Sequence, residues 1–241
     1  MMTIKEAIER RCSTRTFTDD TPPRDEIATL CSAHSCLRPV DPALVGEGRV
    51  GSYGFISGRP DYVAVVTGDP FKAGIEGEKL VIELTRRGLG TCWLGATFNR
   101  KLVESVVKPG SDERVAAIIA VGHAAPRRRV LEKMGRMVMR SASRKKLEDL
   151  IIAGTPAPYL KEALEALRIA PSATNCQPWR LAFNPIGSID VYGTPSDSFM
   201  KLDVGIGVSH FLMMRPDYRL STNNNSHPRL VPITTLLPSD V

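Results

Sequence analysis

Apolar residues recur at helical spacing along much of the chain. In residues 3–11 the side chains of Ile4, Ala7 and Ile8 share one face, and Thr3 is a suitable N-cap. The same periodicity, with glycine or proline near several of the ends, predicts six further helices. These cover residues 24–35, 77–87, 100–107, 145–152, 158–169 and 202–213.

Short apolar runs between these helices predict strands. Residues 62–67 and 115–121 are continuous runs rich in β-branched side chains, and each is followed by glycine, as is typical of buried strands. Residues 179–183 and 189–192 predict two shorter strands, and residues 91–95 predict a short strand or a loop. Strands that are separated by helices and long connections predict a mixed sheet of the α+β class.

Two segments fit neither pattern. Residues 38–60 are rich in proline, glycine and arginine and predict no regular element. Residues 215–241 contain four prolines and a polar run at 221–226. Because such a segment has little apolar surface to bury, we expect it to form a poorly ordered tail.

The composition is that of a soluble globular protein, with 42% apolar and 24% charged residues among 241. No segment approaches the roughly 20 apolar residues of a membrane helix, and the amphipathic start is unlike a signal peptide. Five cysteines without a C-x-x-C pair argue against a disulfide framework and a zinc site. We therefore expect a cytoplasmic protein that binds neither membrane nor metal.

Positive charge is concentrated in one stretch. Nine basic residues lie between Arg127 and Lys146, against Glu132 alone, in a chain of net charge +6. Such a stretch forms a solvated connector, binds an anion such as a cofactor phosphate, or binds nucleic acid. Base-stacking aromatic residues are not interleaved with these charges, which disfavours nucleic acid.

Three short segments carry candidate chemistry. Residues 11–17 place two arginines and a serine within five positions, a set that grips a phosphate or a polyol unless it is simply an exposed basic helix end. Residues 170–179 combine small residues with polar side chains that suit the edge of a flat ligand, although an ordinary turn with Trp179 in the core is the alternative. Residues 88–95 are rich in glycine, which opens the backbone to a ring system or caps a helix at Gly88.

Together these segments resemble the nitroreductase family. The family pattern has an R-[RH]-S-x-R-x-F start, an A-P-S-x-x-N-x-Q-P-W loop, and a G-L-G segment followed by a strand that ends in Val-Gly. The chain matches all three over roughly residues 3–213 and departs only at Cys12. The resemblance implies an α+β, nitroreductase-like fold.

The order of the motifs resembles a tandem duplication. The loop normally follows the arginine-serine start by about 20 residues, but residues 32–39 hold only a degraded version and the intact loop begins near residue 170. The resemblance therefore implies one half at 1–143, a partial second half at 144–214, and a divergent tail at 215–241. Such a chain would imitate the usual homodimer, so a monomer is expected.

The resemblance also implies a composite FMN site. Arg11, Ser13 and Arg15 would hold the phosphate, ribityl chain and pyrimidine edge, beside Cys12, whose own contact is not carried over from the family. The other residues implied are Trp93, Leu94 and Gly95 against the isoalloxazine ring, Arg144, Lys145 and Lys146 on the phosphate, and Pro171, Ser172, Ala173 and Asn175 from the second half.

The activity implied is a ping-pong oxidoreductase reaction. NADH or NADPH would supply a hydride, and a nitroaromatic, quinone or similar small molecule would accept the electrons. Two alternatives remain open at this point. The first is a flavin-binding or sensor protein with little turnover, favoured if the tail lacks the last strand of the fold. The second is a basic scaffold that binds nucleic acid through residues 127–146.

Overall fold

A computed structural model describes residues 2–45, 50, 55–126 and 143–239. Within these ranges the chain forms seven helices and nine strands. The helices are α1 (Ile4–Arg10), α2 (Arg24–Ser32), α3 (Pro42–Val45), α4 (Pro70–Arg86), α5 (Arg100–Val107), α6 (Lys161–Arg168) and α7 (Met200–Met214). The strands are β1 (Leu37–Val40), β2 (Asp61–Thr67), β3 (Gly90–Leu94), β4 (Arg114–Gly122), β5 (Ile151–Ala153), β6 (Trp179–Phe183), β7 (Ile189–Gly193), β8 (Tyr218–Ser221) and β9 (Val231–Pro238).

Helix α1 begins as its sequence predicts. The hydroxyl of Thr3 accepts a hydrogen bond from the Glu6 amide, and the Glu6 carboxylate accepts one from the Thr3 amide at 2.8 Å. This reciprocal pair satisfies two of the amides that a helix start leaves without partners. Ala7 and Ile8 are buried, so the apolar face of the helix packs on the protein.

Two sheets repeat one arrangement of strands. The first has the order β1-β2-β4-β3 with antiparallel pairs, and the second has the order β5-β6-β7-β9-β8. If β6, β7, β8 and β9 are matched to β1, β2, β3 and β4, the two orders are the same, with β5 added at one edge. The helices follow the same match, since α2 and α4 occupy the places of α6 and α7 in the element order.

Helices α4 and α7 pack against each other at the centre of the molecule. Their contact is close because glycine faces backbone on both sides: a Cβ added to Gly74 would lie 2.2 Å from the Leu202 carbonyl oxygen, and one added to Gly205 would lie 2.1 Å from that of Phe71. One apolar cluster joins both helices to the inner strands of both sheets. The described residues up to 126, called the first repeat for their strand order, therefore share a core with residues 143–239, called the second repeat.

The structure corrects two sequence-based expectations. The expected poorly ordered tail is wrong for residues 215–239, because β8 and β9 lie there and β9 pairs with both β7 and β8. Residues 145–152 do not form an α-helix: a single 3₁₀ turn at Glu148–Leu150 leads into β5. Most of the basic stretch, residues 127–142, lies outside the described residues.

Candidate active site

A cavity of about 320 Å³ opens between the two repeats. It is bounded by the segment after α1, the end of β3, the loop before β6, and the first turns of α7. Its lining residues are Ser13, Arg15, Phe55, Cys92, Trp93, Leu94, Gly95, Ala96, Thr97, Ala117, Pro171, Ser172, Ala173, Thr174, Asp197, Phe199, Leu202, Asp203 and Ile206. Eight of the fourteen residues that the sequence suggests for the site line this cavity.

The segment after α1 reaches the cavity because it runs beside β3. Helix α1 ends at Arg11, whose φ of −51° and ψ of 127° turn the chain into an extended path. Ser13 then forms a parallel bridge with Thr91, and the Thr14 amide donates to the Thr91 carbonyl at 2.8 Å. This pairing sets Ser13 and Arg15 next to the strand that carries Trp93 and Leu94.

The loop at residues 171–177 is held in an unusual backbone conformation. Thr174, Asn175 and Gln177 all have positive φ, of 48°, 58° and 46°. For non-glycine residues, and for a β-branched threonine above all, this conformation persists only where surrounding contacts enforce it.

Gln177 supplies those contacts from a fully buried position. Its amide nitrogen donates to the Arg168 carbonyl at 2.8 Å, its side-chain oxygen accepts from the Lys145 amide at 2.7 Å, and its backbone amide donates to the Ser172 hydroxyl at 3.0 Å. The loop is therefore fixed to α6 and to the segment before β5. Trp179, directly after it, is fully buried in the core, as the turn interpretation predicts.

Two arginines after α1 carry buried nitrogen atoms without a hydrogen-bond partner in the described ranges: Nη1 of Arg15 and Nε of Arg11. Arg11 Nε lies 3.8 Å from Glu78 Oε1, close enough for an ion pair but beyond a hydrogen bond. Burial of an unsatisfied donor costs free energy, and a charged donor costs more than a neutral one. An anionic acceptor would offset that cost at both atoms.

Arg144 lies close to Arg11. Its guanidinium donates to the Ala170 carbonyl at 2.9 Å and to the side-chain oxygen of Asn175. Burial lowers the pKa of Arg144 to about 10, with further contributions from the charges of Arg11 and Arg168. The positive charges of Arg11 and Arg168 thus act on Arg144, which favours an anion beside it, whereas the charge of Glu78 acts in the opposite direction. None of these three arginines lines the cavity itself.

Three of the suggested residues have other contacts or positions. Lys145 donates from its ammonium group to the carbonyl oxygens of Cys176 and Gln177 at 2.6 and 3.2 Å, so it anchors the loop. Lys146 is exposed, and its backbone amide donates to Asp149. Cys12 is half-buried and, like both lysines, does not line the cavity.

A buried polar network lies behind Trp93. Glu78 is fully buried; it accepts from the Trp93 indole at 2.7 Å, and its other oxygen lies 2.9 Å from His210 Nε2. His210 Nδ1 lies 2.8 Å from the Ala166 carbonyl, which only accepts, so Nδ1 carries a hydrogen. The contact between His210 and Glu78 therefore needs one further proton, which makes it a charged pair or a neutral acid beside a neutral imidazole.

The family described as "Putative TM nitroreductase" matches residues 3–215. The chain belongs to this family. The fold of the chain is that of a crystal structure from Thermotoga maritima MSB8, which is described as a putative nitroreductase. That structure is 20% identical, has a TM-score of 0.64, and matches over 98% of this chain and 94% of the other.

Two other solved structures match about half of the chain. An FMN-dependent nitroreductase from Clostridium difficile R20291 is 16% identical over 51% of this chain and 88% of its own, with a TM-score of 0.40. An NADH dehydrogenase/NAD(P)H nitroreductase from Bacteroides thetaiotaomicron VPI-5482, described as putative, is 14% identical over 52% and 89%, with a TM-score of 0.41. Among curated proteins, none matches the chain.

In this nitroreductase-family chain, α7 supplies pocket residues that the motifs do not reveal. Leu202, Asp203 and Ile206 line the cavity from the second repeat, and Phe199 joins them just before the helix. The sequence shows only that a carboxylate stands in the first turn of a mostly apolar helix, which does not reveal its place in the cavity.

Three further observations concern thiols, metal sites and membrane-spanning helices in the described residues. All five cysteines are free thiols. The described ranges contain no group of three or more His, Cys, Asp or Glu side chains suited to a metal ion. None of the helices in those ranges combines the length and apolar character needed to cross a membrane.

Proposed function

We propose that this chain is an FMN-dependent oxidoreductase that uses NADH or NADPH to reduce a small acceptor such as a nitroaromatic or a quinone. The observation that supports it best is the meeting of two distant motifs at one cavity, with the buried Nη1 of Arg15 unpartnered among the described residues. Membership of the nitroreductase family supports the same reaction class.

The residues present fit FMN. FMN combines a flat, largely apolar ring system with a phosphate group. Trp93, Leu94 and Gly95 give the cavity a mainly apolar wall, and a Cβ on Gly95 would lie 2.7 Å from the Phe199 ring, so only glycine keeps this wall clear. The corner that holds Arg11 and Arg144 supplies the positive charge for a phosphate.

When bound, FMN would supply the two-electron chemistry, accepting a hydride from the nicotinamide and passing the electrons to the acceptor. Arg15 would stabilise negative charge at the pyrimidine edge, and Arg11 with Arg144 would hold the phosphate. The loop fixed by Gln177 would cover the ring and exclude water from one side. None of these roles needs a protein nucleophile.

The alternatives have less support. The sensor hypothesis depended on a missing final strand, and β8 and β9 supply strands in that region. The nucleic-acid hypothesis depended on residues 127–146, of which Arg144 and Lys145 contact the loop before β6. We propose a small-molecule partner, no nucleic acid, and a monomeric cytoplasmic enzyme in which tandem repeats of one ancestral unit replace the family's homodimer.

The test is FMN binding by the purified protein, followed by its visible absorbance and the quenching of tryptophan fluorescence. We expect Arg15→Ala to weaken FMN affinity about tenfold or to lower the flavin potential, because it removes a charge-assisted hydrogen bond. Lys101→Ala, a charge control at an exposed position on α5, should bind FMN like the parent chain. If Arg15→Ala matches Lys101→Ala in both affinity and potential, Arg15 has no role in the site.

A second measurement separates enzyme from sensor. NADH or NADPH should bleach the flavin absorbance anaerobically, and a quinone should restore it. A yellow protein that fails to bleach would be a flavin-binding protein without this activity. A colourless protein that binds DNA in a salt-sensitive way would contradict the whole proposal.

A further inference from the structure

Asp203 places a carboxyl group in the wall of the cavity, although no motif of the chain points to it. The residue lies in the first turn of α7 and is only 3% exposed. Ala173 and Ser172, from the loop before β6, line the same space. The carboxyl therefore belongs to the pocket rather than to the protein surface.

The hydrogen bonds of Asp203 leave one oxygen for a ligand. Oδ2 accepts from the Ala173 amide at 3.0 Å and lies 3.7 Å from the Cys176 sulfur. Within the described ranges, the hydrogen bonds of this carboxyl all involve Oδ2, and none involves Oδ1. Oδ1 is thus the atom with capacity to donate a proton to a molecule in the cavity.

Asp203 also lacks a cationic partner within ion-pair distance among the described residues. Burial, with a smaller contribution from the negative charge of Asp197, raises the pKa of Asp203 to about 7, while the Ala173 hydrogen bond acts in the opposite direction. The first-turn position on α7 also favours the carboxylate, so burial is the dominant effect. The other ionisable groups that face the carboxyl are the Cys176 thiol and, across the cavity, Arg15 and Cys92.

We propose that Asp203 is the proton donor of this pocket, delivering a proton to an oxygen atom of the acceptor that is being reduced. The proposal rests on the proposed function. It makes the site bipartite: the first repeat supplies a cation, Arg15, and the second repeat supplies an acid. The substrate class that needs such a pair is one whose oxygen gains both electrons and a proton, such as a quinone or a nitroaromatic.

The step balances for a quinone. NADH or NADPH supplies the equivalent of a hydride, which is two electrons and one proton. The O–H bond of the Asp203 carboxyl breaks, and an O–H bond forms on the second quinone oxygen, which gives the hydroquinone. The carboxylate that remains takes a proton from water at the cavity mouth before the next turnover. An acid near neutral pKa suits this role because it is protonated before transfer and regains its proton easily.

The decisive comparison uses acceptors that do and do not need a proton. Asp203→Asn keeps an oxygen that accepts the Ala173 hydrogen bond but carries no transferable proton. We expect it to reduce a benzoquinone about 100-fold more slowly, in line with the loss of a general acid, and to reduce ferricyanide, which takes electrons alone, within about twofold of the parent rate. Equal losses with both acceptors, or no loss with either, would overturn the proposal.

Asp197→Asn is the matched variant, because it removes the same charge from an exposed position in the same cavity. In the parent chain the rate of quinone reduction should fall at high pH, where Asp203 has lost its proton. This upper limb of the pH profile should be absent in Asp203→Asn. In Asp197→Asn the limb should remain and move to lower pH, because a charge that raises the pKa of Asp203 is gone. A limb that persists unchanged in Asp203→Asn would assign it to another group.

A third measurement needs no FMN. Carbon-13 NMR of the labelled aspartates, without flavin, should show one carboxyl that titrates near neutrality and is absent in Asp203→Asn. The pH dependence of folding stability tests the same raised pKa. The unfolded chain loses this proton near the ordinary aspartate pKa of 3.8 and the folded chain near 7, so the parent should lose stability relative to Asp203→Asn as pH rises between those values. A protein that fails to bind FMN but shows this titration would refute the proposed function alone. An Asp203 carboxyl that titrates at the ordinary pKa of an aspartate would refute the proposed role of Asp203.

Discussion

The contact between α4 and α7 allows a sharp test of the fold. A Cβ at residue 205 would lie 2.1 Å from the Phe71 carbonyl oxygen, whereas carbon and oxygen in contact are normally about 3.3 Å apart. The clashing oxygen belongs to helix backbone and cannot rotate away. Gly205→Ala therefore requires the helices to separate by roughly 1 Å, through the middle of the shared core.

The magnitude follows from two opposing effects. Overpacking in a core costs about 1–3 kcal/mol or more, and the immovable backbone puts this site at the upper end. Replacing glycine by alanine within a helix returns about 1 kcal/mol. We expect Gly205→Ala to lower the free energy of unfolding by about 2 kcal/mol, which lowers the Tm by about 4–8 °C in a chain of this length.

Gly207→Ala is the matched control on the same helix. Its Cβ would lie 3.0 Å from the side chain of Trp179, a contact that a shift of a few tenths of an ångström would relieve. Both variants gain the same helix propensity, so the difference between them isolates the backbone clash. Urea unfolding followed by circular dichroism and by tryptophan fluorescence measures both. Equal stability of the two variants would refute the close approach of α4 and α7.

Two further predictions address local structure. Thr3→Ala should lower the free energy of unfolding by about 1 kcal/mol through loss of the capping box, whereas Thr3→Ser should retain most of it in thermal unfolding. Glu78→Gln should cost about 3 kcal/mol in urea unfolding, because one amide cannot replace the carboxylate that faces Trp93, His210 and Arg11, and a loss below 1 kcal/mol would show that this network is not charged.

Most helices and the inner strands could be predicted from the sequence because they bury continuous or periodic apolar faces. Two of the strands that were missed, β1 and β9, carry residues that usually interrupt sheets. Strand β1 contains Pro39, which is tolerated because β1 lies at a sheet edge. Strand β9 contains Pro232 and Pro238 near its two ends, and its buried centre at residues 234–236 is too short to outweigh them by pattern alone.

The site was predictable where its chemistry lies in short linear motifs. The start at residues 11–17 and the loop at 170–179 each combine several polar residues at fixed spacing, so both could be recognised without coordinates. Asp203 could not, because its place in the cavity wall depends on the packing of α7 against the loop, which buries this carboxyl. Burial of a single charge has no signature in sequence.

The cavity walls come from two repeats that are far apart in the chain, and this division links ligand binding to assembly. A molecule that contacts both Arg15 and α7 ties together segments almost 190 positions apart, as a crosslink would, and stabilises only the state in which they are joined. Saturating ligand should consequently make the two repeats melt together at higher temperature. Expressed separately, each repeat would carry only part of the cavity lining, and a ligand could no longer stabilise it by linking it to the other repeat.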